Sequence, residues 1–242
     1  MNLFSNQNYI SQLAIDCVIF GYQERELKVL ITKLNFKGDF YSLPSGFILQ
    51  KEGVDEAGHR ILKERTSISN IFLEHFKIFG EADRTNKDFL ENIINLNQEH
   101  FDSDVSLSKA DFEWLTSRFI SLGYYALVDI NKVTPIKTAL DESMGWYNIH
   151  EIPPMMMDHN EMIEKALESL RLNLDTNIIV LNLLPETFTM KEVQDLYETI
   201  FEKEYARNNF QKKILELNVL ERLEKKFTGA SNKAPYLYRF KK

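Results

Sequence analysis

Two hydrophobic periods alternate along the chain. Residues 14–21 (AIDCVIFG) and 27–34 (LKVLITKL) are dense in β-branched and aliphatic residues, and the turn-like GYQERE joins them, so they predict a strand pair. A loop holding Pro44 and Gly46 follows, then helical spacing over about Val54 to Arg65. Further strands are predicted near IFLEHFKIFGE and over RFISLGYYALVDI at 118–130, which has the density of a central strand. Between them, residues 86–117 are polar but place Phe89, Ile93 and Leu96 at helical spacing, with an N-cap-like Ser108 before KADFEWL. They predict an inserted helical segment. After Pro153-Pro154, MMMDHNEMIEKALESLRLNL predicts an amphipathic helix, its three methionines serving as adaptable packing.

A second unit begins near Pro185. Thr189 and Glu192 have capping-box spacing. Val193, Leu196, Tyr197, Ile200 and Phe201 then make one apolar helix face. A second short helix, RNNFQKKILEL, places Phe210, Ile214 and Leu217 on a buried stripe and turns Asn208 and Lys212 away from it. Two strand-like runs around a Gly/Ser/Asn turn, LERLEKKFTGASNKAPYLYRF, complete a winged helix-turn-helix. The predicted domains are 1–172 and 173–242.

Composition sharpens this division. The net charge is −7, which by itself argues against a nucleic-acid partner, but residues 206–242 hold 10 Lys+Arg against 3 Asp+Glu. An acidic body thus carries a basic appendage suited to phosphates. Cys17 is the one cysteine, in an apolar run, and reads as a buried inert thiol in a reducing compartment. No apolar run approaches the roughly 20 residues of a membrane span. The N-terminal MNLFSNQNYISQ lacks the pattern of a secretion signal, so a cytoplasmic location is expected.

The stretch GFILQKEGVDEAGHRILKERTSI, from Gly46 to Ile68, carries chemistry. Its glycine, glutamate and arginine (Gly46, Glu52, Arg60) are spaced as in the Nudix box, G-x5-E-x7-R-E-U-x-E-E-x-G-U, which it resembles. In that family one helix presents glutamates to Mg²⁺ or Mn²⁺, which neutralise a diphosphate and activate water. Here Ile61 follows Arg60, Glu64 takes the first place of the Glu-Glu pair, Arg65 the second, and Ser67 stands at the later glycine. The resemblance keeps Glu52 and Arg60 as a structural brace. It loses most of the metal ligands, and a guanidinium in their place should repel a cation. No metal, cofactor or catalytic residue is expected.

The C-terminal part is similar to the tail of Nudix-related transcriptional regulators, whose motifs are matched by Phe188, Thr189, Gln194, Tyr197, Glu198, Ile200, Asn209, Phe210, Lys212, Lys213, Leu237, Tyr238 and Phe240. MDHNEMIEKAL resembles the helix leading out of their Nudix-like domain. Asn208 and Gln211, where basic residues are usual, and Lys233 in the wing depart from the pattern. The resemblance implies an α+β chain: a Nudix-like α/β/α sandwich with a mixed sheet, then the winged helix. It implies a DNA-binding regulator, a repressor in carbohydrate metabolism, acting as a homodimer on an operator duplex and sensing a small molecule. The sugar-sensing branch is most similar, so a sugar or sugar derivative is the expected effector. The lost metal site points away from an ADP-ribose-like diphosphate, although Arg65 offers a direct phosphate contact.

Expected DNA contacts are Arg207, Asn208, Asn209, Gln211, Lys212, Lys213, Lys225, Lys226, Lys233, Tyr238 and Arg239. The cationic groups would meet backbone phosphates and the amides base edges. Expected effector contacts are Asp16, Ser42, Phe47, Asp83, Arg84, Tyr124 and His159. The alternatives are an active hydrolase of a nucleoside-diphosphate-linked substrate, using Glu52 and Glu64, and an adaptor whose basic hairpin meets a protein.

Overall fold

Strand β1 (Tyr9–Gln23) is buried on both faces from Ala14 to Gly21, which is why that stretch, Asp16 apart, is a continuous apolar run rather than an alternation. In this computed structural model, described for residues 8–69, 71–84, 92–93, 95–97, 117–174, 183–226 and 234–241, β1 is the middle of a seven-stranded mixed sheet. It pairs in parallel with β6 (Ile120–Val128) and antiparallel with β2 (Glu26–Leu34) and β4 (Ser45–Leu49). The short β3 (Tyr41–Ser42) and β7 (Asp141–Asn148) pair with β2, and β5 (Phe72–Phe79) pairs with β6.

Helix α1 (Val54–Thr66) covers one face of the sheet and α2 (His159–Leu174) the other. Ile15, Cys17, Ile19 and Tyr124 point towards α1, packing with Ala57, Ile61 and Leu62. Val18, Phe20, Tyr125 and Leu127 point towards α2, packing with Met162, Ile163, Ala166 and Leu170. Burial pushes the Cys17 thiol up to about 12, so it is inert.

Several local expectations change. The loop around Pro44 and Gly46 contains β4, and 141–148 is a strand that its polar sequence conceals. The methionine run 155–157 precedes α2 rather than opening it. Met157 has a left-handed backbone (φ 51°), and the Asn160 side chain accepts from the Met155 amide at 2.8 Å. Helix α2 ends at Leu174, where the sequence predicts. The insert at 86–117 lies almost wholly outside the described residues.

The C-terminal unit comprises β8 (Phe188–Thr189), α3 (Met190–Phe201), α4 (Arg207–Glu216) and the hairpin β9 (Leu220–Lys225) and β10 (Tyr236–Phe240), with strand order β8-β10-β9. The Thr189 hydroxyl accepts from the Glu192 amide at 3.3 Å, and the Glu192 carboxylate accepts from the Thr189 amide at 2.5 Å, closing the capping box. Val193, Leu196, Tyr197 and Ile200 are buried, as are Phe210 and Ile214 of α4. Leu217 is not part of that stripe. Helix α4 ends at Glu216, which leaves Leu217 42 % exposed.

Candidate functional site

The box region is a braced loop and helix. Arg60 donates from Nε to Glu52 Oε2 at 2.9 Å, and from Nη2 to Glu52 Oε1 at 2.6 Å and to the Phe47 carbonyl at 2.8 Å. Glu52 also accepts from the Leu49 amide at 2.7 Å. Arg60's hydrogen bonds hold the Glu52 carboxyl below its ordinary range, against the opposing effect of burial. The glutamate is thus consumed in fixing the loop to α1.

Two of the positions at which the box resemblance expects metal ligands, Ile61 and Arg65, are interior. Ile61 is 1 % exposed, and a Cβ on Gly46 would meet its Cγ1 at 2.7 Å, so only glycine fits beneath it. Arg65 does not face an open cleft. It donates to Asp141 at 2.6 Å and to the Thr32 hydroxyl at 3.1 Å, with both charged side chains about 5 % exposed or less. Its charge is neutralised within the fold, and it is not placed to meet a phosphate. Glu64 remains exposed, 3.1 Å from Arg60.

The effector candidates separate onto two faces of the sheet. Asp16, Arg84 and His159 come together on the α2 side, joined by Asp158 and Ser121, which sequence reasoning does not single out. Arg84 forks onto Asp158 at 2.8 and 3.0 Å, donates to the Phe119 carbonyl at 3.0 Å and lies 3.5 Å from Asp16. The Ser121 hydroxyl donates to Asp16. His159 Nδ1 accepts from the Leu43 amide at 3.0 Å, which fixes the neutral tautomer with Nε2–H directed to Asp16 at 3.7 Å. Burial depresses the His159 pKa, outweighing Asp16 and Asp158. Ser42 is buried in β3 beside Leu43.

Phe47 packs on Tyr9 and Phe119 at one end of the domain, and Asp83 is exposed. Tyr124 belongs to the opposite face. Its hydroxyl donates to Asp55 at 2.8 Å, and burial, then this bond, raise its pKa.

Helix α4 and the hairpin form the second candidate surface. Arg207, Asn208, Asn209, Lys212 and Lys213 are exposed and Gln211 is half-buried. Lys225 and Lys226 are exposed on the wing, Lys226 lying 3.4 Å from Glu192. Arg239 is bound to Glu221 at 2.8 Å. Tyr238 is 5 % exposed in the core and cannot offer its ring to DNA, because its side of β10 packs on α3. Lys233 lies outside the described residues. Arg222, absent from the sequence expectations, stacks on exposed Tyr236 at 4.4 Å, with Lys225 at 5.4 Å from the same ring. The signal available for Arg222 is its place in β9, paired across the hairpin to Tyr238.

A mixed sheet between two helices, joined to a basic winged helix, is the architecture that the sequence resemblance implies. Residues 180–240 match the family described as the NrtR DNA-binding winged helix domain. The ADPR responsive transcriptional repressor NtrR of Acinetobacter baylyi (strain ATCC 33305 / BD413 / ADP1) is 22 % identical over 256 residues, spanning 99 % of this chain and 90 % of its own. The crystal structure of Shewanella oneidensis NrtR superposes with a TM-score of 0.73 at 22 % identity, covering 96 % of this chain and 94 % of that one. The same protein complexed with a 27mer DNA gives 0.72 at 21 % identity over the same shares. Over nearly its whole length the chain thus shares the fold of that protein, and residues 180–240 match a DNA-binding winged helix domain.

Proposed function

We propose that this chain is a transcriptional repressor that binds an operator duplex through α4 and the β9–β10 wing, as a cytoplasmic homodimer, and responds to a small molecule held by the Nudix-like domain. The observation that carries this reading is the match of residues 180–240 to a DNA-binding domain whose exposed face here is basic. The effector we favour is ADP-ribose rather than a free sugar, because the Acinetobacter baylyi relative, alignable along nearly the whole chain, is responsive to ADPR. The eroded box weighs less against a diphosphate than the sequence suggests. Hydrolysis needs the metal to activate water, whereas binding needs only donors and shape.

The box supports a receptor rather than a hydrolase: Glu52 is spent on Arg60, and Ile61 and Arg65 fill the ligand positions. Asp16, Arg84 and His159 share one buried network with Asp158 and Ser121, which suits them to holding the middle of β1 against the start of α2. Phe47 and exposed Asp83 are the members of the set better placed for direct contact.

Titrating the full chain with ADP-ribose, ribose 5-phosphate and free sugars tests the effector. ADP-ribose should raise the melting temperature by mass action and change duplex affinity. Stabilisation by a free sugar, with none by ADP-ribose, would reverse the assignment. Turnover of ADP-ribose with Mg²⁺ that Glu64→Gln abolishes would defeat the receptor reading. On DNA, Lys212→Ala should weaken every duplex similarly and reduce the salt slope by about one.

A further inference from the structure

The outward face of α4 is an unusual one for reading guanine. Asn208, Gln211, Lys212 and Leu215 project within about 100° of arc, opposite Phe210 and Ile214. With Glu216 they line one shallow groove. Ile214 is 1 % exposed and serves the core, but Leu215 is 42 % exposed in the middle of the polar face. Among the described residues it belongs to no apolar cluster. Gln211 and Lys212 lie one turn before it on that face, and Asn208 a further turn back. Lys212, at one edge of the face, lies 3.8 Å from Glu216 of its own helix. Arg207 and Lys213 flank the face.

These groups match one kind of base pair. In the major groove, adenine offers an acceptor at N7 and a donor at N6, which an amide side chain satisfies at once. Thymine offers an apolar 5-methyl group, whereas guanine is best met by a guanidinium or ammonium. Gln211 and Leu215 are four residues apart, on the order of 6 Å along the helix, a span of about two base-pair steps of 3.4 Å.

We propose that α4 reads A·T pairs, Leu215 packing on thymine 5-methyl groups while Gln211 and Asn208 bridge adenine N6 and N7. This inference rests on the DNA-binding reading above and specifies the chemistry of its ligand.

The test is selection of duplexes by the full-length protein from a randomised pool, followed by affinity measurements on the recovered sequence. The recovered half-site should contain A·T steps whose conversion to G·C weakens binding by about tenfold each. Replacing thymine by deoxyuridine at those steps removes only the methyl group and should weaken binding severalfold. Leu215→Ala, at an exposed position that leaves the melting temperature unchanged, should weaken thymine duplexes to a similar extent and be indifferent to the uracil change. A recovered site built on G·C pairs overturns the inference. So does an A·T site where uracil substitution and Leu215→Ala are both without effect, since that outcome means the preference comes from duplex shape. Salt-dependent binding without base preference also overturns it but leaves the DNA-binding reading standing. Failure to bind any duplex at low salt removes both.

Discussion

Ser67 stands where the box has a glycine, and it takes the backbone conformation that glycine favours, with φ at 63° and its amide donating to the Lys63 carbonyl at 2.8 Å. A side chain in this left-handed C-cap is strained. Ser67→Gly should therefore stabilise the chain by about 0.5–1 kcal/mol, net of the added freedom of the unfolded glycine. A raised midpoint in urea unfolding is the check, and a lowered one would mean that the 3.3 Å bond from the serine hydroxyl to the Thr134 carbonyl is worth more than the strain. His159 makes a second prediction at this scale. Its pKa lies below the ordinary 6.5 in the folded chain, because burial dominates over the facing Asp16 and Asp158 while Arg84 adds to the depression. Below 6.5 the unfolded histidine takes up a proton that the folded one refuses, so stability is full above that pH and is lost as the pH falls towards the folded value. His159→Gln, which keeps an acceptor for the Leu43 amide and a donor for Asp16, should flatten this part of the profile in melting experiments.

At the scale of elements, one buried ion pair ties α1 to the strands beneath it. Arg65 lies in the last turn of the helix, and Asp141 opens β7 and also accepts from the Thr138 amide at 2.5 Å. Asp141→Ala strands a guanidinium in the interior and should cost about 3–5 kcal/mol. Replacing both partners by apolar residues of similar volume should cost far less. Equal losses in the two variants, read by chemical denaturation, would contradict this account. The same pair shows where the sequence is legible and where it is silent. The strands β1, β2 and β6 announce themselves because burial on both faces leaves their centres dense in β-branched, aliphatic and aromatic residues. Helices α1 and α3 do so through spacing, and through the capping box in α3. Strand β7 does not, since DESMGWYN turns only part of its length inward and gains its identity from pairing with β2. Arg65 reads from the sequence as an intruder in a metal site because nothing local reveals a partner 76 residues away. Asn208 and Lys212 are legible as exposed from the helical period, whereas Tyr238 is misread because a tyrosine in a basic hairpin has the composition of a contact and the burial of a core residue. The meeting of Asp16, Arg84 and His159 is anticipated only as a shared cleft, not as a closed network.

On the scale of the molecule, β1 links the two functional regions. Its first half carries Asp16, and its far end turns into β2 through Glu24 and Arg25, both with left-handed backbones at φ 54° and 63°. Such a turn favours glycine and asparagine. Here the tip is held against the winged helix instead: Arg25 donates to Asp195 at 2.7 Å, and its carbonyl accepts from the Thr199 hydroxyl at 3.2 Å. Arg171 of α2 makes the parallel contact, to the Ile200 carbonyl at 2.7 Å. Arg25→Ala should change stability by under about 1 kcal/mol, since Arg25 is largely exposed and Lys191, 2.7 Å away, still neutralises Asp195. It should preserve effector affinity and shrink the effector-induced change in duplex affinity. Parallel titrations by calorimetry and anisotropy would show this, and an unaltered change would exclude the hairpin from the coupling.

The apolar side chains beneath α2 and those beneath α3 belong to a single cluster, running from Val18 and Leu170 to Leu196 and Phe210 without a break. Heating should therefore produce one calorimetric peak rather than two, and severing the wing-bearing portion should leave a remnant prone to precipitate. Halves fused in this way have no freedom to swing like doors on a linker. Whatever message passes between metabolite and operator must travel as a slight slip of packed surfaces.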